Sequence, residues 1–420
     1  MTNGTTGGPL TPLSFLERSA DVWAGRPAVR EGERSWTYAE HFERVRRAAG
    51  ALRDQLGVAE GDRVATLLPN VAAMLELHYA VPGIGAVLVP LNTRLAAGDY
   101  AYILEHSGAK AVVAHASLRE PLVSALEALG PAAPRVVWAY APDGCEYEAL
   151  LGAAQAADLR RPDDEWALLS INYTSGTTGR PKGVMTAHRG AYLHSLGVIA
   201  EAGLTTSSVY LWTLPMFHCN GWAYTWAVTA TGATHVCLPD VAPARIWQAV
   251  HRDGVTHRCA APTVVTGMLA AEEAVVSERG VRLFVGGAPP APALLERAAQ
   301  LNVDITHLYG LTETYGPIAV CAWNPAWDDL PASERARLRA RQGVATIVSE
   351  RLRVVDADMH DVPRDGETLG EVVMRGDNVM LGYYRDPEAT REAFAGGWFH
   401  SGDLDRGDVL AAGDHHVLEA

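Results

Sequence analysis

Apolar and polar positions follow two rhythms along the chain. From Leu13 to Trp23 and again from Tyr38 to Leu56, apolar residues recur at helical spacing. The second segment follows Thr37 with Glu40 three positions on, a capping-box arrangement that predicts a helix starting at Tyr38. The runs DRVATLLPN (62–70), GAVLVPLN (85–92) and KAVVAH (110–115) and the stretch Ala167 to Tyr173 are short and dominated by apolar residues, and they predict buried strands. Helical spacing returns from Thr186 to Ala200 through Leu193, Leu196, Gly197 and Ala200, and strands are predicted at Tyr210–Leu214, Thr234–Leu238, Arg282–Val285 and Ile305–Leu308 with helices in the intervals. From Arg351 the runs shorten and alternate (RLRVVD, GEVVMRG), separated by Gly, Asp and Pro.

Strands alternating with helices imply mostly parallel sheets covered by helices. The expected fold is therefore α/β, with two stacked, mostly parallel sheet-and-helix subdomains within residues 12–350 and a small β-rich subdomain over 351–404. Residues 1–11 are expected to be disordered, and residues 405–420 form a tail.

At 420 residues, with 48% apolar and 20% charged residues, the chain has the profile of a soluble globular protein of more than one subdomain. Its 49 acidic against 35 basic residues (net charge −14) argue against nucleic acid as a partner. Five scattered cysteines make neither a disulfide framework nor a C-x-x-C metal site, which points to a reducing, cytoplasmic setting. MTNGTTGGPL lacks the charge and apolar core of a signal peptide, and no apolar run is long enough to span a membrane.

The stretch NYTSGTTGRPKGV (172–184) changes the picture. It combines three Gly, four Ser or Thr hydroxyls and one Lys in thirteen positions. Glycines let backbone N–H groups approach an anion, and hydroxyls with an ammonium complete a polyphosphate cradle. The Walker pattern does not fit, because Pro181-Lys182-Gly183 stands where Gly-Lys-Ser/Thr is required. A flexible linker is the bland alternative, disfavoured by the packed elements expected on both sides, a strand and a helix.

Three further stretches stand out. LFVGGAPP (283–290) ends a strand in two glycines, HLYGLTET (307–314) places Tyr309, Gly310, Thr312 and Glu313 after another strand, and GGWFHSGDL (396–404) presents Asp403 in a turn where a carboxylate could accept a ribose diol. Each is ordinary when seen alone: a strand-to-helix turn, a core Tyr beside a solvated Glu, a turn Asp. PMFHCNGW (215–222) holds adjacent His218 and Cys219, a poor geometry for zinc.

Together YTSGTTGRPKGV, GGAPP, YGLTET, RGDNVMLGYY and GGWFHSGDL resemble, in order, the adenylate-forming superfamily of acyl-CoA synthetases, luciferases and peptide-synthetase adenylation domains. MFHCNGW and RARQGV are most similar to short- and medium-chain or aryl acid:CoA ligases. The resemblance implies ATP-dependent activation of an organic acid as an acyl-adenylate, release of pyrophosphate, and transfer to CoA or a carrier-protein thiol, with Mg²⁺ as cofactor. It implies that Thr174, Ser175, Gly176, Thr177, Thr178, Gly179 and Lys182 hold the β- and γ-phosphates. Gly287, Ala288 and Pro289 would border adenine, Tyr309 and Gly310 would lie against it, Thr312 would touch the α-phosphate, Glu313 would hold Mg²⁺, and Asp403 would take the ribose. The acid pocket would be built around His218, Gly221, Trp222, Gly286, Tyr315 and Gly316.

The chain departs from the family after Asp403, where 17 residues follow instead of about a hundred, and its two lysines are Lys110 and Lys182. The resemblance then implies that the C-terminal cap with its catalytic lysine is absent and that catalysis is impaired unless such a domain acts in trans; a homodimer is the other assembly expected. A nucleotide-binding pseudoenzyme or partner protein, or an adenylating enzyme with another acceptor or a non-carboxylate nucleophile, are the competing readings.

Overall fold

Two large sheets, each mostly parallel with antiparallel strands at an edge, make up the body of the computed structural model, which describes residues 7–142, 144–174, 179–287, 291–365 and 367–405. The seven-stranded sheet runs Gly382–Tyr383, Gly183–Ala187, Leu168–Tyr173, Val87–Pro90, Arg63–Leu67, Ala109–His115, Arg135–Ala139, and its last five strands are parallel neighbours. The nine-stranded sheet runs Val344–Ala345, Gly316–Val320, Val303–Leu311, Val281–Gly286, His257–Ala260, Val209–Trp212, Thr234–Cys237, Pro27–Glu31, Arg34–Thr37, parallel from Val303–Leu311 to Pro27–Glu31. The mixed α/β architecture expected from the sequence is present.

Strands such as Val87–Pro90 and Thr234–Cys237 are buried at every position. Helices cover both faces of a parallel sheet, so such strands lack a solvent-facing row of polar residues. The helix Ala72–Ala80 is buried all round, and one core joins its Met74, Leu75 and Tyr79 to Leu88 and Val113 of one sheet and to Tyr210 and Trp212 of the other. Two charged or titratable side chains on this helix are buried with it. Glu76 is held by Arg44 Nε at 2.5 Å and by the Tyr147 hydroxyl at 2.7 Å, while His78 Nδ1 lies 2.7 Å from the Met74 carbonyl.

The capping box is present: Thr37 and Glu40 cap the helix Tyr38–Gly50, which continues as a π turn over Ala51–Gln55. Two expectations need correction. The segment Thr186–Ala200 is not helical throughout, because Gly183–Ala187 is a strand and the helix is His188–Ala202. Only five residues long and abutting the helix, that strand lacks a periodic signature of its own. Within the expected disordered start, residues 7–11 are described, and Leu10 N donates to Glu165 Oε2 at 3.0 Å while Thr11 Oγ1 lies 2.9 Å from His188 Nδ1, so the chain is fastened before its first helix.

The third sheet is antiparallel, Arg353–Val355, Gly370–Met374, Phe399–Asp405. Its core residues Val354, Val372, Met374 and Phe399 pack with Val184 of one large sheet and Ile318 and Ala319 of the other. It therefore straddles the two bodies, and Gly382–Tyr383, from the same stretch of chain, is an edge strand of the seven-stranded sheet.

Candidate active site

The three sheets meet at a cavity of about 750 Å³ beside the carboxyl ends of Val87–Pro90, Leu168–Tyr173 and Val303–Leu311. That is where ligands bind in open α/β sheets. Its lining includes Asn92, Asn172, Thr174, Gly179, Arg180, Lys182, Phe217, His218, Cys219, Leu311, Thr312, Glu313, Tyr383, His400 and Ser401.

Lys182 arrives on a hairpin. Leu168–Tyr173 and Gly183–Ala187 pair antiparallel up to Tyr173 opposite Gly183, and beyond them Thr174 N donates to the Lys182 carbonyl at 3.0 Å while Lys182 N donates to Thr174 Oγ1 at 3.2 Å. The Gly/Thr stretch is thus a hairpin tip rather than a strand-to-helix joint. Ser175, Gly176, Thr177 and Thr178 lie outside the described residues, as do Ala288 and Pro289.

Glu313 and Thr312 arrive on a second hairpin. Val303–Leu311 runs on past Leu308, so Tyr309 and Gly310 belong to the strand and not to a loop after it. A short 3₁₀ turn, Thr312–Thr314, then leads into the antiparallel Gly316–Val320. Thr314 Oγ1 accepts from Leu311 N at 2.9 Å and lies 2.6 Å from the Gly316 carbonyl, so its side chain closes the turn and leaves the preceding two residues facing the cavity. Gly310 is required by packing, since a Cβ there would lie 2.1 Å from the Gly316 carbonyl oxygen.

Tyr383 connects the two hairpins. Its hydroxyl donates to Glu313 Oε1 at 2.8 Å, and Lys182 Nζ sits 4.7 Å from its ring centroid. Burial, and then the adjacent Glu313 charge, push the phenol pKa up. From the third sheet, Asp403 accepts a hydrogen bond from the Tyr309 hydroxyl, whose own pKa is raised by burial and then by that carboxylate. Gly287, in the left-handed region at φ +105°, has open space where a side chain would be, so its backbone is accessible.

The residues expected around the acid divide. Trp222 lies between Gly286 and Gly316: a Cβ on the first would fall 2.8 Å from its indole, and on the second 2.9 Å. His218 lines the cavity. Gly221 instead packs against Trp212, and the Tyr315 hydroxyl accepts from Trp226 Nε1 at 2.9 Å in the core, so these two face away from the cavity. The run Cys219–Ala223 is left-handed throughout, with φ from +41° to +63°, a costly conformation for non-glycine residues. It turns the chain so that Cys219 Sγ comes within 3.7 Å of Thr312 Oγ1.

Several cavity residues were given no role from the sequence, Arg180 and Tyr383 among them. Arg180 stacks over Tyr102 at 5.4 Å, and Tyr383 sits in RGDNVMLGYY. The only signal for either was its place in a motif already singled out for other residues.

Comparison with known proteins fits this geometry. The family model described as AMP-binding enzyme matches residues 16–384. An acetate–CoA ligase of Humulus lupulus is 43% identical over 94% of this chain and 74% of its own length, and a peroxisomal acetate/butyrate–CoA ligase of Arabidopsis thaliana is 40% identical over the same shares. Among solved structures, the inhibitor-bound N-terminal domain of FACL13 from Mycobacterium tuberculosis superposes with a TM-score of 0.84 at 29% identity, covering 94% of this chain and 96% of that one. Among the described residues no helix is long and apolar enough to cross a membrane. The chain belongs to the AMP-binding enzyme family and is a ligase of the acid:CoA type.

Proposed function

We propose that the chain activates a short aliphatic acid with ATP at this cavity and passes the acyl group to CoA, in the cytoplasm. The observation that carries the proposal is the convergence of Lys182, Thr312 and Glu313 from both large sheets on one cavity, with Ser401, two residues before Asp403, supplied by the third. The short acid follows from Trp222, whose indole occupies the gap between Gly286 and Gly316, and from the acetate and butyrate for which the two relatives are named.

The reaction joins two anions, an acid carboxylate and the α-phosphate of ATP, so its demand is charge neutralisation and alignment. Lys182 and the hydroxyls of the hairpin tip take the β- and γ-phosphates. Thr312 donates to the α-phosphate, Tyr309 lies against adenine beside Gly287, and Asp403 accepts the ribose hydroxyls. Glu313 together with Thr hydroxyls offers hard oxygen donors of the kind Mg²⁺ takes alongside phosphate oxygens and water. Mg²⁺ bound there supplies neutralisation of the phosphate charge. The carboxylate attacks the α-phosphorus, pyrophosphate leaves, and the CoA thiolate then attacks the acyl carbon, displacing AMP. No acid–base dyad is required.

Acid-dependent pyrophosphate release, followed by detection of the thioester after adding CoA, tests the proposal. Acetate or butyrate should drive both. Release without thioester on adding CoA would refute CoA as acceptor, and the absence of release with every short acid would refute the activation itself.

A further inference from the structure

The segment RGDNVMLGYY (375–384) lies across both hairpins that build the cavity. On one side Asn378 Nδ2 donates to the Thr314 carbonyl at 2.9 Å and Met380 N donates to the Glu313 carbonyl at 2.7 Å. On the other side, Tyr383 pairs with Val184, two residues after Lys182, and Tyr384 N donates to the Gly183 carbonyl at 2.7 Å. The segment is thus hydrogen-bonded to the Thr-Glu-Thr turn and to the phosphate hairpin at once. Tyr383 is the side chain that carries this bridge into the cavity.

Its placement is fixed locally. Gly382 has φ +138°, and a Cβ there would sit 2.6 Å from Thr390 Cγ2, so only glycine lets the strand pass the helix Pro387–Ala393. Tyr383 N then donates to Thr390 Oγ1 at 2.8 Å. The ring is 9% exposed, held between Lys182 on its face and Glu313 at its hydroxyl. A phenol so placed can only donate to the carboxylate, while its electron-rich face attracts the ammonium.

We propose that Tyr383 is a positioning residue that sets Glu313 and Lys182 relative to each other, its hydroxyl orienting the carboxylate for Mg²⁺ and its ring seating the ammonium for the terminal phosphates. This rests on the roles given above to Glu313 and Lys182. Holding one carboxylate oxygen leaves the other directed to the metal, and it removes rotamer freedom that binding would otherwise have to freeze out. Seating the ammonium on a ring does the same for a long, flexible lysine side chain. Neither function touches adenosine, whose contacts lie at Tyr309 and Asp403.

The test is equilibrium binding of α,β-methylene-ATP and of AMP to the whole chain over a range of Mg²⁺ concentrations. Tyr383→Phe keeps the ring and removes the hydroxyl, and it should raise the Mg²⁺ needed for half-maximal binding of the triphosphate about tenfold, the usual worth of a hydrogen bond to a charged group. Its affinity for AMP should be unchanged. Tyr383→Leu also removes the ring face and should weaken triphosphate binding without Mg²⁺ about threefold or more. Glu313→Gln separates the two readings. If Glu313→Gln shifts the Mg²⁺ dependence and Tyr383→Phe does not, the role of Tyr383 is overturned and the metal assignment stands. If neither shifts it, the metal assignment falls and this proposal with it. Equal losses for AMP and triphosphate in Tyr383→Phe would show general damage to the site and also overturn it.

Discussion

The two hairpins that supply the cavity are built on opposite plans. The Thr-Glu-Thr hairpin is closed as tightly as backbone allows, with Gly310 against the Gly316 carbonyl and the Thr314 hydroxyl closing the turn. The phosphate hairpin is wide in chain length, nine residues from Thr174 to Lys182, and among the described ones two hydrogen bonds, both between Thr174 and Lys182, close its base. Gly179 has no described atom within 4 Å of where a Cβ would be. The difference teaches a division of labour. On the roles proposed above, a metal ligand and an α-phosphate donor need fixed positions, whereas a triphosphate needs exposed donors and room to enter. Glycine serves both plans, for close approach in one and for bare backbone in the other.

The comparison is broken most directly at Lys182. If the wide hairpin exists to bring a charge to the phosphates, Lys182→Met should lower acid-dependent pyrophosphate release by about 10² to 10³ while leaving the melting temperature unchanged. A variant that lost stability as well would show that the wide hairpin is also a structural element. Next in size is Gly310→Ala. The atoms its Cβ would meet, the Gly316 oxygen at 2.1 Å, the Gly316 carbonyl carbon and Pro317 Cα at 2.7 Å, are all backbone and cannot rotate away. Overpacking of this kind should cost about 3 kcal/mol, read by denaturant unfolding, and activity should fall with it.

Acid should loosen the tight hairpin first. Tyr315, which follows the Thr-Glu-Thr turn, lies edge-on to the buried ring of His194 at 6.1 Å, and neither His194 nitrogen has a hydrogen-bond partner among the described residues. Burial pulls the His194 pKa down to about 4 from 6.5. A depressed histidine is neutral in the fold, so its contribution is intact above pH 6.5 and is lost as the pH falls toward 4, because the unfolded chain takes up the proton first. By linkage the loss reaches on the order of 2 kcal/mol at pH 5. His78 and His188, also held at about 4, steepen the same slope. Unfolding of His194→Gln against pH should show a shallower acid limb than the wild type, and an identical slope would remove His194 from the account.

Between the hairpins and the third sheet, Tyr309 and Asp403 give a smaller effect. A ribose reaching Asp403 must compete with the Tyr309 hydroxyl for the carboxylate. Tyr309→Phe keeps the stacking ring and removes the competitor, so AMP affinity should rise about threefold, within the range of one hydrogen bond of roughly 0.5–1.5 kcal/mol. Weaker binding would mean that the hydroxyl itself serves the nucleotide.

How far these regions could be read in the sequence follows from the same physics. The buried parallel strands at 87–90, 168–173 and 234–237 were legible because burial on both faces favours short runs rich in apolar residues without a polar face. The capping box at Thr37 and Glu40 was legible because its bonds are local. Gly183–Ala187 was not, since it becomes a strand only by pairing with Leu168–Tyr173 and Gly382–Tyr383, the second of these partners nearly two hundred residues away. For the same reason the sequence pointed to Lys182, Thr312 and Glu313, which stand in distinctive local motifs and line the cavity, and gave no role to Tyr383, whose contacts depend on two partners brought together by the sheets. Tyr315 and Gly221 were assigned to the acid by nearness in sequence. Backbone in the left-handed region at Tyr315 (φ +56°) and around Gly221 turns them into the core.

The smallest effect sharpens the comparison from the other side. Gly179 lines the cavity, its φ lies outside the left-handed region, and a methyl group added there meets no atom of the described residues within 4 Å. Gly179→Ala should therefore leave stability within about 0.5 kcal/mol of the wild type, where the loss of unfolded-chain freedom slightly favours the variant. Its MgATP affinity should change by less than about threefold, because a side chain pointing into open space does not by itself block a backbone N–H. Set beside Gly310→Ala, the pair isolates one variable, the space around a glycine Cα, in two hairpins that face the same ligand. If Gly179→Ala destabilised the chain as much as Gly310→Ala, the wide hairpin would be as tightly packed as the narrow one and the contrast between them would fail. If stability held while MgATP affinity dropped more than tenfold, the bare backbone at Gly179 would itself be a phosphate contact, and the open plan of this hairpin would be explained at the level of a single atom.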